Sequence, residues 1–128
     1  MAMAAVFEVT SWRETPLDEG TDLPRMTSAT VSKTYAGDIE ATSVTTWLMS
    51  YADDGSAAFV GLERVTGTFA DQRGSVILQH VGTFAEGAAR GTLRVVAGSG
   101  TGDLVGARGD GDFLADPSGS IRLALTFE

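Results

Sequence analysis

The stretch Phe59-Val60-Gly61-Leu62-Glu63-Arg64-Val65-Thr66-Gly67-Thr68-Phe69, followed by Asp71-Gln72-Arg73-Gly74 and Ser75-Val76-Ile77-Leu78-Gln79-His80-Val81-Gly82-Thr83-Phe84, decides the fold. Both apolar runs are rich in β-branched and aromatic residues, and a short polar segment ending in glycine joins them, which is the pattern of a β-hairpin. The second run carries His80, the sole histidine of the chain.

The same pattern extends in both directions. Val6–Arg13, Met26–Tyr35, Ile39–Tyr51, Ala58–Phe69, Ser75–Phe84, Arg90–Ala97, Leu104–Arg108 and Ile121–Phe127 read as strands. Turn residues separate them: Thr15-Pro16-Leu17-Asp18-Glu19-Gly20, Ala36-Gly37-Asp38, Asp53-Asp54-Gly55-Ser56, Glu86-Gly87, Gly109-Asp110-Gly111-Asp112 and Asp116-Pro117-Ser118-Gly119. Gly98-Ser99-Gly100-Thr101-Gly102 lacks the spacing and following lysine of a phosphate-binding loop, so it reads as a wide hairpin or bulge, with a place at the barrel mouth. No segment has a capped helical period. About eight strands joined by hairpin-sized turns predict an all-β antiparallel barrel or sandwich, with residues 1–128 forming one domain, and a closed barrel would remove the exposed edges of strands this rich in Thr and Val.

Composition narrows the function. The 128 residues carry a formal net charge of −8, so nucleic-acid and anionic-membrane partners are not expected. The absence of cysteine removes disulfides, thiolate chemistry and Cys-based metal sites, and one histidine cannot build a His-rich centre. No metal or cofactor is therefore expected. Met1–Phe7 is apolar but brief and is followed at once by Glu8, so a signal peptide is not expected and a cytoplasmic location is the default. The Thr, Val and Leu content of the outer strand faces permits a homo-oligomer.

The order of three motifs resembles the bacterial domain of unknown function 3224 family, whose fold is an allene-oxide-cyclase-like β-barrel. They are Phe59-Val60-Gly61-Leu62-Glu63 then Gly67, Gly74-Ser75-Val76-Ile77-Leu78-Gln79-His80 then Gly82, and Val95-Val96-Ala97-Gly98-Ser99-Gly100-Thr101-Gly102-Asp103-Leu104. The resemblance implies an eight-stranded antiparallel barrel and no particular reaction. Related barrels include cyclases and isomerases that fold a flexible apolar substrate without a cofactor, an analogy of fold alone.

Alternation places Val76, Leu78, His80, Gly82 and Phe84 on the more apolar face of their strand, so His80 is expected inside the barrel, as a proton-transfer group or as a satisfied structural histidine. Glu63 has faces of nearly equal apolarity. If inward, it could orient His80 or act as a base; if outward, it is a surface residue beside Arg64. Trp47, Tyr51, Phe59 and Phe84, with Gln79, are the candidate ligand-binding residues, suited to a polyene, aryl or polyketide-like molecule; core packing is the alternative for the aromatic ones. The functional expectation is a barrel that binds a small apolar molecule, as a cofactor-independent isomerase or cyclase using His80 and Glu63. The rivals are a non-catalytic carrier and a packed structural barrel.

Overall fold

The computed structural model describes residues 1–18, 20 and 22–127, which leaves Glu19 of the expected 15–20 turn outside the described residues. The strands are β1 (Ala2–Pro16), β2 (Met26–Gly37), β3 (Ile39–Tyr51), β4 (Ala57–Phe69), β5 (Gln72–Ala85), β6 (Ala88–Val95), β7 (Ala107–Ala115) and β8 (Gly119–Phe127). They pair in chain order into a closed antiparallel barrel, and β1 meets β8 from Ala2↔Ala124 to Phe7↔Gly119. An eight-stranded barrel has an interior just wide enough to be filled by side chains or to hold one small ligand.

Alternation sorts the two faces. On β2, Thr27, Ala29, Val31, Lys33 and Tyr35 are buried inward; on β3 the inward residues include Ile39, Ser43, Thr45, Trp47 and Met49. Phe59, Glu63, Val65 and Phe69 of β4 face Val76, Leu78 and His80 of β5 in the same interior. The outer face is not polar throughout: Val60, Leu62 and Val81 are about half exposed there.

The two ends differ. At one end the connection from β6 to β7 folds over the barrel, with a 3-10 turn at Gly102–Leu104. Ser75 N–H donates to Thr101 Oγ1 at 3.0 Å, and Leu104 is fully buried as a plug. The glycine-rich segment thus closes the barrel opposite its mouth, which corrects the expectation that it lines the mouth. Gly74 permits this closure, because a Cβ there would collide with the Thr101 carbonyl.

A second correction concerns Gly109-Asp110-Gly111-Asp112, expected as a turn and found within β7; the residues expected to start that strand, from Leu104 on, form the plug and its exit. Asp-Gly is a strong turn signal, but these glycines answer a packing demand. A Cβ on Gly109 or Gly111 would run into the Ala124 or Arg122 carbonyl of β8. Close strand approach overrides the local turn preference.

At the other end β1 separates from β8 after Phe7 and continues beside β2 alone. A bulge between Val9 and Ser11 shifts the register, so that Phe7 and Val9 sit opposite Tyr35 and Lys33, whereas Trp12 and Glu14 sit opposite Val31 and Ala29. One extra residue inverts the alternation and turns Trp12 and Glu14 toward the barrel mouth.

Candidate functional site

The open half of the barrel holds a cavity of about 270 Å³. Phe7, Trp47, Phe59 and Phe113 form its aromatic wall, Trp12, Tyr51 and Phe84 stand at its rim, and among the described residues Lys33 is its one cationic lining residue. The volume exceeds the ~150 Å³ of an engineered apolar cavity that takes benzene.

Each of the four wall rings lies across the sheet from a glycine. The pairs are Phe7↔Gly119, Trp47↔Gly61, Phe59↔Gly82 and Phe113↔Gly91. A Cβ would lie 2.5 Å from Trp47 Cε3 at Gly61, 2.6 Å from Phe59 Cζ at Gly82 and 2.8 Å from Phe113 Cε1 at Gly91, and a Cβ on Gly119 would also strike Phe7. The glycines let the rings fold back against the sheet, and this arrangement keeps the space between the rings open. Trp47 and Phe59 then meet edge to face with ring centres 4.9 Å apart, a favourable aromatic geometry.

Deeper along the strands is a buried polar cluster. Glu63 faces inward, and its Oε1 lies 2.8 Å from His80 Nε2. The two residues are diagonal neighbours across the β4–β5 ladder, since Gly61 pairs with His80 and Glu63 with Leu78. Glu63 Oε2 accepts hydrogen bonds from Tyr35 Oη at 2.6 Å and Ser43 Oγ at 2.5 Å. Lys33 Nζ is 3.6 Å from the same oxygen. Burial alone would push the Glu63 carboxyl up, but the His80 hydrogen bond, the Lys33 charge, His80 electrostatics and the Ser43 hydroxyl outweigh it and hold it at about 2. Burial pulls the Lys33 ammonium below its ordinary value, with Glu63 opposing. Burial, joined by the Glu63 charge, pushes the Tyr35 hydroxyl well up, so Tyr35 stays a donor.

His80 is 1% exposed and flanked by Trp47 and Phe113, with ring centres 5.1 and 5.2 Å away. Its Nδ1 has no hydrogen-bond partner among the described residues. Glu63 is an acceptor only, so His80 Nε2 is the donor of the bond between them.

A third group closes the rim. Glu14 Oε2 accepts from Thr27 Oγ1 at 2.6 Å and from Tyr51 Oη, while Trp12 Nε1 donates to Oε1 at 3.1 Å. The Arg25 guanidinium lies over the Tyr51 ring at 5.1 Å.

The structure thus brings His80 and Glu63 together and places Trp47, Tyr51, Phe59 and Phe84 around the cavity. Gln79 is a correction: it is exposed on the outer face, because it alternates with inward His80. Lys33, Tyr35 and Ser43 were missed, although alternation with Val31 marks Lys33 as a cation on an inward face. Trp12 and Phe113 were missed too; no turn or composition signal announces the bulge that turns Trp12 inward. Among the described residues no group of three or more His, Cys, Asp or Glu side chains is placed to hold a metal ion, and Asp112 is instead paired to Arg122 at 3.0 Å. No helix among them is long and apolar enough to cross a membrane.

A family profile described as a protein of unknown function, DUF3224, matches residues 3–127. The chain belongs to the DUF3224 family. A crystal structure of a DUF3224 protein of unknown function from Shewanella oneidensis MR-1 is similar to it at 27% identity, with a TM-score of 0.80 over 100% of this chain and 98% of that one. No curated protein matches the chain. DUF3224 membership and this likeness extend across the whole barrel, including the strands that carry the cavity and the polar cluster.

Proposed function

We propose that this DUF3224 barrel binds a small, largely apolar molecule in its open half. The observation that carries this reading is the cavity of about 270 Å³ walled by Phe7, Trp47, Phe59 and Phe113, which four cross-strand glycines hold open. Ligand sites are concave and mainly apolar, with few polar groups to fix orientation, and Lys33 is such a group here.

A thermal-shift and calorimetric screen of small aryl and polyene compounds tests the reading. A ligand at 100 times its Kd adds about 2.7 kcal/mol, and Tm should rise by roughly 10 °C for a domain of this size. The Trp47→Ala variant should weaken binding. A screen in which no apolar compound shifts Tm overturns the proposal.

The second reading is a cofactor-independent isomerase or cyclase, favoured by the unpartnered Nδ1 of His80 beside Glu63. It stands second because neither residue lines the cavity, and a general acid or base must come within hydrogen-bond reach of the substrate. A substrate would meet His80 only after Trp47 or Phe113 moved aside. On this reading His80→Ala loses turnover of a converted ligand and keeps its affinity; a variant that retains full turnover removes the reading.

A further inference from the structure

Lys33 is 6% exposed, and it lines an apolar cavity whose wall holds no carboxylate among the described residues. Its Nζ lies 3.6 Å from Glu63 Oε2, longer than a hydrogen bond, and that oxygen already accepts from Tyr35 and Ser43. The ammonium otherwise meets ring faces, Phe7 at 4.8 Å and Trp47 at 5.4 Å. A largely desolvated ammonium with donors to spare is costly unless something accepts from it.

The cluster's charge selects the acceptor. Lys33 and Glu63 balance each other across 3.6 Å. An anionic head group on Lys33 would bring a second negative charge beside Glu63. An alcohol would bring a proton of its own into a wall that offers it no carboxylate among the described residues. A carbonyl oxygen accepts from Lys33, adds no charge and demands no acceptor.

We propose that the ligand of this cavity is a neutral apolar carbonyl compound, of the aryl-ketone or enone class, whose oxygen accepts a hydrogen bond from Lys33 Nζ while its body lies among Phe7, Trp47, Phe59 and Phe113. This deepens the binding reading above and rests on it. Lys33 is then the specificity-determining residue, and the ion pair with Glu63 positions it.

The test is calorimetric titration of the wild-type chain and Lys33→Met with three probes of one shape: 2-acetylnaphthalene, 2-ethylnaphthalene and 2-naphthoate. The wild type should bind the ketone at least tenfold more tightly than the ethyl compound, and the carboxylate most weakly. Lys33→Met should bind the ketone and the ethyl compound equally. Equal wild-type affinities for ketone and ethyl compound, or tightest binding of the carboxylate, overturn the carbonyl anchor and leave the apolar cavity standing. Failure of all three to bind overturns both. If Lys33→Met does not fold, ketone labelled with carbon-13 at the carbonyl decides with wild-type protein alone. Its resonance should move downfield of its position in alkane solvent, and an unmoved resonance overturns the anchor.

Discussion

Trp47 on β3 lies directly across the ladder from Gly61 on β4, with its six-membered ring over the position that a Gly61 side chain would occupy. A methyl group at Gly61 would meet both the Trp47 ring and the Thr46 carbonyl, at 2.5 and 2.6 Å. The ring's orientation keeps Trp47 edge-on to Phe59 and beside His80, so one glycine serves both the cavity wall and the polar cluster beneath it. The Gly61→Ala variant should push the ring toward the cavity and strain the ladder at Thr46. Overpacking of this kind costs about 1–3 kcal/mol, to be read from the urea midpoint, and affinity for an apolar ligand should fall with it. Unchanged stability and affinity would show that the ring has other room.

Leu104 predicts the opposite asymmetry. It is fully buried at the closed end, held by the 3-10 turn that Thr101 anchors to Ser75. Leu104→Ala should cost about 2–5 kcal/mol, as for other buried leucines. It should leave the affinity of an apolar ligand at the open end within a factor of two or so, because Leu104 does not line that cavity. A large loss of affinity at retained folding would mean that the two ends are coupled.

How much of this was legible depended on whether alternation had contrast to work with. His80 alternates with Ile77, Gln79 and Val81 in a strand whose inward set is plainly apolar, and parity placed it correctly. Glu63 defeated the same reasoning because Val60 and Leu62, on the outside, are as apolar as Phe59 and Val65 on the inside. Lys33 was hidden in a Thr- and Ser-rich strand that reads as a surface strand, since barrel closure buries Thr27 and Ser43 that composition assigns to solvent. Gly109–Asp112 reads as a turn because Asp-Gly is a local signal, whereas the need for glycine there comes from β8, a strand distant in sequence. The glycine–aromatic pairs require the register, and the register emerges only when the barrel closes.

Thr45 offers a prediction of increased stability. It is fully buried opposite Glu63, and its Oγ1 has no hydrogen-bond partner among the described residues. Valine has nearly the same shape and no hydroxyl. Thr45→Val should therefore raise stability by about 1–2 kcal/mol, the cost of an unsatisfied buried polar group. A loss of stability in this variant, measured by chemical denaturation, would show that the hydroxyl is bonded in solution.

Glu63 carries the sharpest pH prediction. Its carboxyl is held at about 2 in the fold against an ordinary 4.5, because hydrogen bonds and the nearby cations outweigh the opposing effect of burial. A depressed carboxyl adds stability that is fully present above pH 4.5 and disappears as pH falls toward 2, the window in which the unfolded chain binds the extra proton. Glu63 should thus contribute about 3 kcal/mol to the acid limb of the stability curve. The comparison of wild type with Glu63→Gln isolates this component from the other carboxyls. At neutral pH the variant should be less stable by about 3–5 kcal/mol, because Lys33 is left buried without its counter-charge. The difference between the two proteins should shrink steadily from pH 5 to pH 2, where the wild-type carboxyl takes up its proton. Adding Lys33→Met to Glu63→Gln should recover part of the loss, since the orphaned ammonium is then gone. Urea titrations of the three proteins across that pH range check the argument; parallel curves for wild type and Glu63→Gln would mean that Glu63 is not the carboxylate that ties this barrel to pH.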